Sequence, residues 1–323
     1  MSPANAMPRL EVSTPAARMP SGDVAPVFIM GPHRSGTTIL YKLLADTGQF
    51  NVTTAYHILN RHRLSELSAP AAAAAARAEL AALLEARGLK DRDFDAVPVT
   101  PDIPEEYAYA LDHQGRRPML DRANLPGFLS FCRAAQAVQD PTRPLLLKNP
   151  FDAANFLFIA RAFPRARFVF VHRHPAEVIS SQIRAIRSIL EQRNDYVALV
   201  SGRYRRLVER PLMMGLARRL YSDRWPLLVL QVSRNIARVN RYYVEHRGML
   251  EDAVACDVSY PELCAGPAGV LARILASLGL PPPLARDYAA AIKPRPIALV
   301  PEVRQRLLRI EAQNAEYCRT VGV

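Results

Sequence analysis

Four consecutive apolar residues, Val27-Phe28-Ile29-Met30, run straight into a glycine, and this junction constrains the fold more than any other stretch of the 323-residue chain. A strand without polar alternation is one buried on both faces, as in the interior of a parallel sheet. Gly31 ends the run, and Ile39, Leu40, Leu43 and Leu44 then recur at helical spacing from Thr37 until Gly48 stops the helix. Strand, glycine-bearing loop and helix in that order aim backbone N–H groups and the positive end of a helix dipole at one point, where an anion binds.

Two more apolar runs end in charge: Leu145-Leu146-Leu147 before Lys148, and Phe168-Val169-Phe170-Val171 before His172 and Arg173. Between them residues 152–163 read as helical, and Pro175 suits the first turn of a helix running through Ile179, Ile183 and Ile186. Strands alternating with helices imply right-handed crossovers and a doubly wound sheet. A helix is expected over 64–87, a proline-broken loop over 97–104 leading into a helix near Glu105, and mostly helix over 196–247. A strand at 254–258, a helix at 267–278 and a proline-rich loop at 293–301 before a final helix complete the chain. The fold class is therefore α/β, in three layers around a central parallel sheet with a helical cap. Residues 1–25 are expected to be a flexible arm, and 26–323 a single domain with helical insertions at about 53–140 and 190–250 that build the substrate pocket.

Composition narrows the classes further. No apolar stretch approaches the ~20 residues of a bilayer-spanning helix, and the proline-containing N-terminal segment has no apolar secretory core, so a cytoplasmic protein is expected. Cys132, Cys256, Cys264 and Cys318 lack metal-ligand or disulfide-scaffold spacing, so reduced thiols and no metal site are expected. A net charge of +12 suits an anionic partner, but no run of five like charges marks a nucleic-acid arm. Only Lys42, Lys90, Lys148 and Lys293 of the 42 basic residues are lysines, which makes a lysine at a strand end conspicuous.

The loop reads Gly31-Pro32-His33-Arg34-Ser35-Gly36-Thr37-Thr38. It has the frame of a triphosphate-binding P-loop, but Thr37 stands where that loop has its lysine, and a guanidinium, Arg34, lies inside it instead. This pattern resembles the 5′-phosphosulfate loop of sulfotransferases that use 3′-phosphoadenosine 5′-phosphosulfate (PAPS). Arg173 and Ser181, eight residues apart at a strand end and on the next helix, resemble that family's 3′-phosphate pair. Leu147-Lys148-Asn149-Pro150 and the segment from Ala255 to Leu263 resemble further signatures of its bacterial and Golgi-type members. Pro261 and His33 depart from the commoner forms, a difference of subfamily more than of fold.

The resemblance implies a P-loop-like fold and sulfuryl transfer from PAPS to a hydroxyl or amine of a small-molecule, lipid or carbohydrate acceptor. Arg34, Ser35, Gly36, Thr37 and Thr38 would grip the 5′-phosphosulfate, Arg173 and Ser181 would fix the 3′-phosphate, and Lys148 would meet charge on the leaving oxygen. Sulfuryl transfer relies on in-line positioning and charge stabilisation. The acceptor also needs a general base within hydrogen-bond reach. His57 lies nearest the position where some relatives carry a glutamate, and Glu105 and Glu106 resemble an acidic pair found in part of the family. Two alternatives remain at this point: a P-loop kinase, which normally wants a lysine at Thr37 and an aspartate where Arg173 stands, and a non-enzymatic basic protein that binds polyanions.

Overall fold

A computed structural model describes residues 24–89, 98–111, 118–191, 193–292 and 298–323. Most of the expected N-terminal arm, and parts of the loops expected at 97–104 and 293–301, lie outside the described residues. In chain order the strands are β1 (Val27–Met30), β2 (Asn51–Val52), β3 (Leu145–Lys148), β4 (Arg167–His172) and β5 (Ala255–Ser259). They form one all-parallel sheet in the order β2-β3-β1-β4-β5. The chain leaves β1 for one side of the sheet and, after β3, crosses to the other. The carboxyl end of β1 is thus where the winding reverses, the usual ligand position in an open α/β sheet.

The helices are α1 (Thr37–Asp46), α2 (Ala55–Leu59), α3 (Pro70–Ala86), α4 (Ala108–Leu111), α5 (Leu125–Ala137), α6 (Phe156–Ala162), α7 (Pro175–Glu191) and α8 (Asp195–Val200). They continue with α9 (Gly202–Val208), α10 (Pro211–Leu220), α11 (Leu227–His246), α12 (Tyr260–Ala265), α13 (Pro267–Ser277), α14 (Pro301–Arg304) and α15 (Leu307–Val321). Strand side chains alternate between two cores. Phe28, Met30, Leu145, Leu147, Phe168 and Phe170 face a large cluster shared with α5, α6 and Tyr107. Val27, Ile29, Leu146, Val169, Val171 and Val258 face a second, built by α1 and α13. The three-layer α/β fold expected from the sequence is present. A third cluster joins α7, α11 and α15, and a small fourth one, centred on Leu190, Val197, Ala198, Tyr204 and Met214, carries the cap helices α8 to α10.

Three boundaries differ from expectation. The helix expected over 64–87 is a 3₁₀ turn at Leu64–Ser68 followed by α3, because Pro70 starts a new first turn. The helix expected from Asp152 is a 3₁₀ turn at Pro150–Asp152 and then α6. Glu105 and Glu106 do not begin a helix; α4 starts only at Ala108. The amide of Glu105 donates instead to Thr53 O at 2.8 Å, and that of Tyr107 to Lys148 O at 3.1 Å. These bonds lay the segment across the ends of β2 and β3.

Candidate active site

The sheet order puts the loop after β1 between Lys148 at the end of β3 and Arg173 just past β4. Within the loop, Ser35 is fully buried, and its hydroxyl donates to Pro32 O at 2.8 Å. Arg34 has φ +70°, the one positive-φ residue other than glycine among the described residues. Such backbone strain persists where the surroundings enforce it, and it is concentrated at ligand sites. Gly36 has φ +111°, and a Cβ there would lie 2.4 Å from the Tyr260 ring. No other residue type fits without moving that ring.

The loop is tied to α7 in two places. Arg34 Nε donates to Ser181 Oγ at 3.0 Å, and Gln182 Nε2 donates to His33 O at 2.7 Å. The guanidinium expected at the 5′ end and the serine expected at the 3′ end are therefore in direct contact. Arg173 bonds Glu177 Oε2 through Nε at 2.8 Å, and its guanidinium lies 4.0 Å from the centre of the Tyr260 ring. Tyr260 thus touches both Gly36 and Arg173. Behind Arg173 a polar network braces the strand end. His172 Nε2 lies 2.9 Å from Asp257 Oδ1 and its Nδ1 3.1 Å from the Tyr317 hydroxyl, while Arg247 reaches Asp257 Oδ2 at 3.0 Å. Burial acts to raise the Asp257 carboxyl, but the hydrogen bonds from His172 and Tyr243 and the nearby cations outweigh it and hold the group below its ordinary range.

Lys148 is 2% exposed. Its ammonium donates to Thr38 Oγ1 at 2.9 Å and pairs with Glu106 Oε1 at 2.8 Å. Lys148, Thr38 and Glu106 thus meet where loop, β3 and the 105–107 segment converge. A cavity of about 1260 Å³ opens over this point, with Arg34, Thr38 and Glu106 on one wall and residues of α7, α9 and α11 opposite. His33 also lines it; its buried Nε2 has no hydrogen-bond partner, and burial lowers the pKa of the ring.

The other base candidates stand elsewhere. Glu105, 1% exposed, accepts a 2.6 Å bond from Tyr196 OH. His57 caps the short helix α2: the Thr54 amide donates to its Nδ1 at 3.1 Å. Its Nε2 is buried without a partner, and the ring is not in the cavity wall. Burial, reinforced by Arg77 and opposed by Asp102, lowers its pKa to about 4.

One residue that sequence reasoning missed organises the segment after Lys148. Asp152 is fully buried and accepts from Tyr107 OH and Asn149 Nδ2 at 2.8 Å each, Asn155 Nδ2 at 2.7 Å and the Leu120 amide at 3.1 Å. Burial nevertheless raises its pKa to about 6. Its position three residues after Asn149 and before Asn155 was the available signal, an acid among local donors.

Residues 26–225 match the sulfotransferase family. The chain belongs to that family. Sulfotransferase STF9 from Mycobacterium avium superposes with a TM-score of 0.61 at 15% identity, over 92% of this chain and 76% of that one. Sulfotransferase STF1 from Mycobacterium tuberculosis H37Rv gives 0.55 at 18% identity, over 90% and 76%. No curated protein matches the chain by sequence. At such low identities these likenesses establish the fold. The family assignment favours sulfuryl transfer over the kinase and polyanion-binding alternatives. Among the described residues no group of three or more potential ligands could hold a metal, and no helix is long and apolar enough to cross a membrane.

Proposed function

We propose that this sulfotransferase moves the sulfuryl group of PAPS to a hydroxyl or amine by in-line displacement. The observation that carries the reading is the meeting of Lys148 at the edge of the loop with Thr38 and Glu106, which themselves line the cavity. Arg34 and the N–H groups at the start of α1 supply donors for a phosphosulfate, while Ser35 holds the loop closed from inside. Arg173 and Ser181 supply the 3′-phosphate contacts. The partnerless His33 Nε2 and the positive φ of Arg34 and Gly36 fit a loop shaped around an anion.

In the transfer, the acceptor oxygen or nitrogen forms a bond to sulfur as the bond from sulfur to the bridging phosphate oxygen breaks. Lys148 meets the charge left on that oxygen, and preorganised stabilisers of this kind act most strongly where water is excluded. The acceptor proton goes to Glu106, which lines the cavity. Once the ammonium turns to the leaving group, its partner carboxylate is left to accept a proton.

The direct test is thermal unfolding with 3′-phosphoadenosine 5′-phosphate against AMP. Ligand at one hundred times its Kd stabilises by ~2.7 kcal/mol, and the expected result is a clear shift with the bisphosphate and far less with AMP. Equal shifts would remove the 3′-phosphate role of Arg173 and Ser181.

A further inference from the structure

Among the described residues, six of the eleven large apolar side chains exposed to solvent lie in one place. Leu212, Met213, Leu216, Leu220, Trp225 and Leu227 all stand out from α10 and the turn behind it, with Leu212 91% exposed. On α10 the exposed leucines and Met213 occupy positions i, i+1, i+4 and i+8 and share one face, since such residues stack along a helix. Met214 and Ala217 occupy the opposite face and pack into the small cap cluster with Tyr221. The helix therefore has two apolar faces, an inner one that is packed and an outer one that is exposed.

Charge surrounds this face. Residues 203–224 contain seven arginines against two acids, Glu209 and Asp223. Arg205, Arg206, Arg210, Arg219 and Arg224 are all exposed. An apolar ridge flanked by arginines matches the outer part of an anionic bilayer, in which leucine and tryptophan enter the acyl boundary while guanidinium groups stay among the headgroup phosphates. A second copy of the chain is the poorer occupant, because pairing two such faces brings like charges together.

We infer that α10 and the 225–227 turn form a docking surface for anionic lipid membranes, holding the protein peripherally on the bilayer. Arg210 and Met213 belong both to this surface and to the cavity wall, so the membrane-facing element is also part of the cap over the site.

Co-sedimentation of the full chain with vesicles tests this without any donor or acceptor, and so independently of the proposed chemistry. Vesicles of equimolar phosphatidylcholine and phosphatidylglycerol are expected to bind the protein, and vesicles of phosphatidylcholine alone to bind it far less. Leu212→Asp combined with Leu216→Asp should weaken binding roughly tenfold or more, as expected when two apolar anchors are lost. Both positions are solvent-facing, so melting temperature and circular dichroism should not change. Arg219→Gln with Arg224→Gln should reduce the preference for anionic vesicles. Failure to bind phosphatidylglycerol vesicles at low salt overturns the inference, as does undiminished binding by the leucine variant. Self-association that the leucine variant abolishes, with no vesicle binding, would overturn it in favour of a second copy.

Discussion

The loop side and the cap side of the cavity are built on different foundations. The loop, Lys148 and Arg173 sit at the ends of three adjacent central strands whose side chains fill the two largest cores, and α7 fastens the loop by hydrogen bonds from Arg34 and Gln182. The cap helices α9 and α10 rest on a cluster of five buried residues, and α10 turns apolar side chains outward, while α8 also sends Tyr196 and Val200 into the large core. A group that must hold charge within tenths of an ångström belongs on the first kind of support. A surface that admits and releases a variable partner belongs on the second, where local opening takes less free energy.

The sharpest way to break this contrast is on the rigid side. Lys148→Ala should lower turnover by ~10² to 10³, the usual loss for one preorganised charge stabiliser, measured as release of 3′-phosphoadenosine 5′-phosphate with an active acceptor. Near-normal turnover would remove Lys148 from the chemistry. In the same assay Glu106→Gln should also be inactive, whereas His57→Gln should keep transfer if its ring only caps α2. The reverse result would return the base role to His57.

A second effect is expected in pH. His57 has a folded-state pKa of about 4, below its ordinary 6.5, so it stabilises the fold above pH 6.5 and loses that contribution as pH falls toward 4. Asp152, raised to about 6, acts in the opposite sense between pH 3.8 and 6. The comparison must therefore be wild type against His57→Gln, in which the Asp152 contribution cancels. Urea unfolding should show the advantage of wild type shrinking by about 3 kcal/mol between pH 6.5 and 4. A pH-independent difference would contradict a buried neutral ring.

Gly36→Ala probes the close fit of the loop. Its methyl would press on the Tyr260 ring at 2.4 Å in a strained backbone, so a loss of about 1–3 kcal/mol is expected in nucleotide affinity or unfolding free energy. The smallest effect belongs to the cap: Arg206→Gln should change unfolding free energy by no more than ~0.5 kcal/mol, as for other exposed positions. A larger loss there would make the cap part of the rigid frame.

How much of this was legible in the sequence follows from the range of the interactions. β1, β3 and β4 were readable because each is a run buried on both faces, β5 as a short apolar stretch although it is a half-buried edge strand, and the loop because its glycines and hydroxyls are contiguous. β2 was not, since it has two residues and is defined only by pairing with β3. Glu105 and Glu106 read as a helix start, but bonds to Thr53 and Lys148, distant in sequence, tie the segment to the ends of β2 and β3 instead. His57 was placed by distance along the chain, which says nothing about which way a five-residue helix turns its ring. The clustering of exposed leucines on α10 was equally hidden, because sequence shows an apolar face but not whether the rest of the protein covers it.

The contact of Tyr260 with both Gly36 and Arg173 gives the site a built-in gauge. Gly36 and the Arg173 guanidinium both pack against that ring, whereas Arg34 and Ser181 meet directly. A bulkier or smaller residue at position 260 is expected to shift Arg173 against the loop while leaving the Arg34–Ser181 bond in place. The placement of one cation of the site is therefore lodged at the start of α12, far along the chain from the residue it positions.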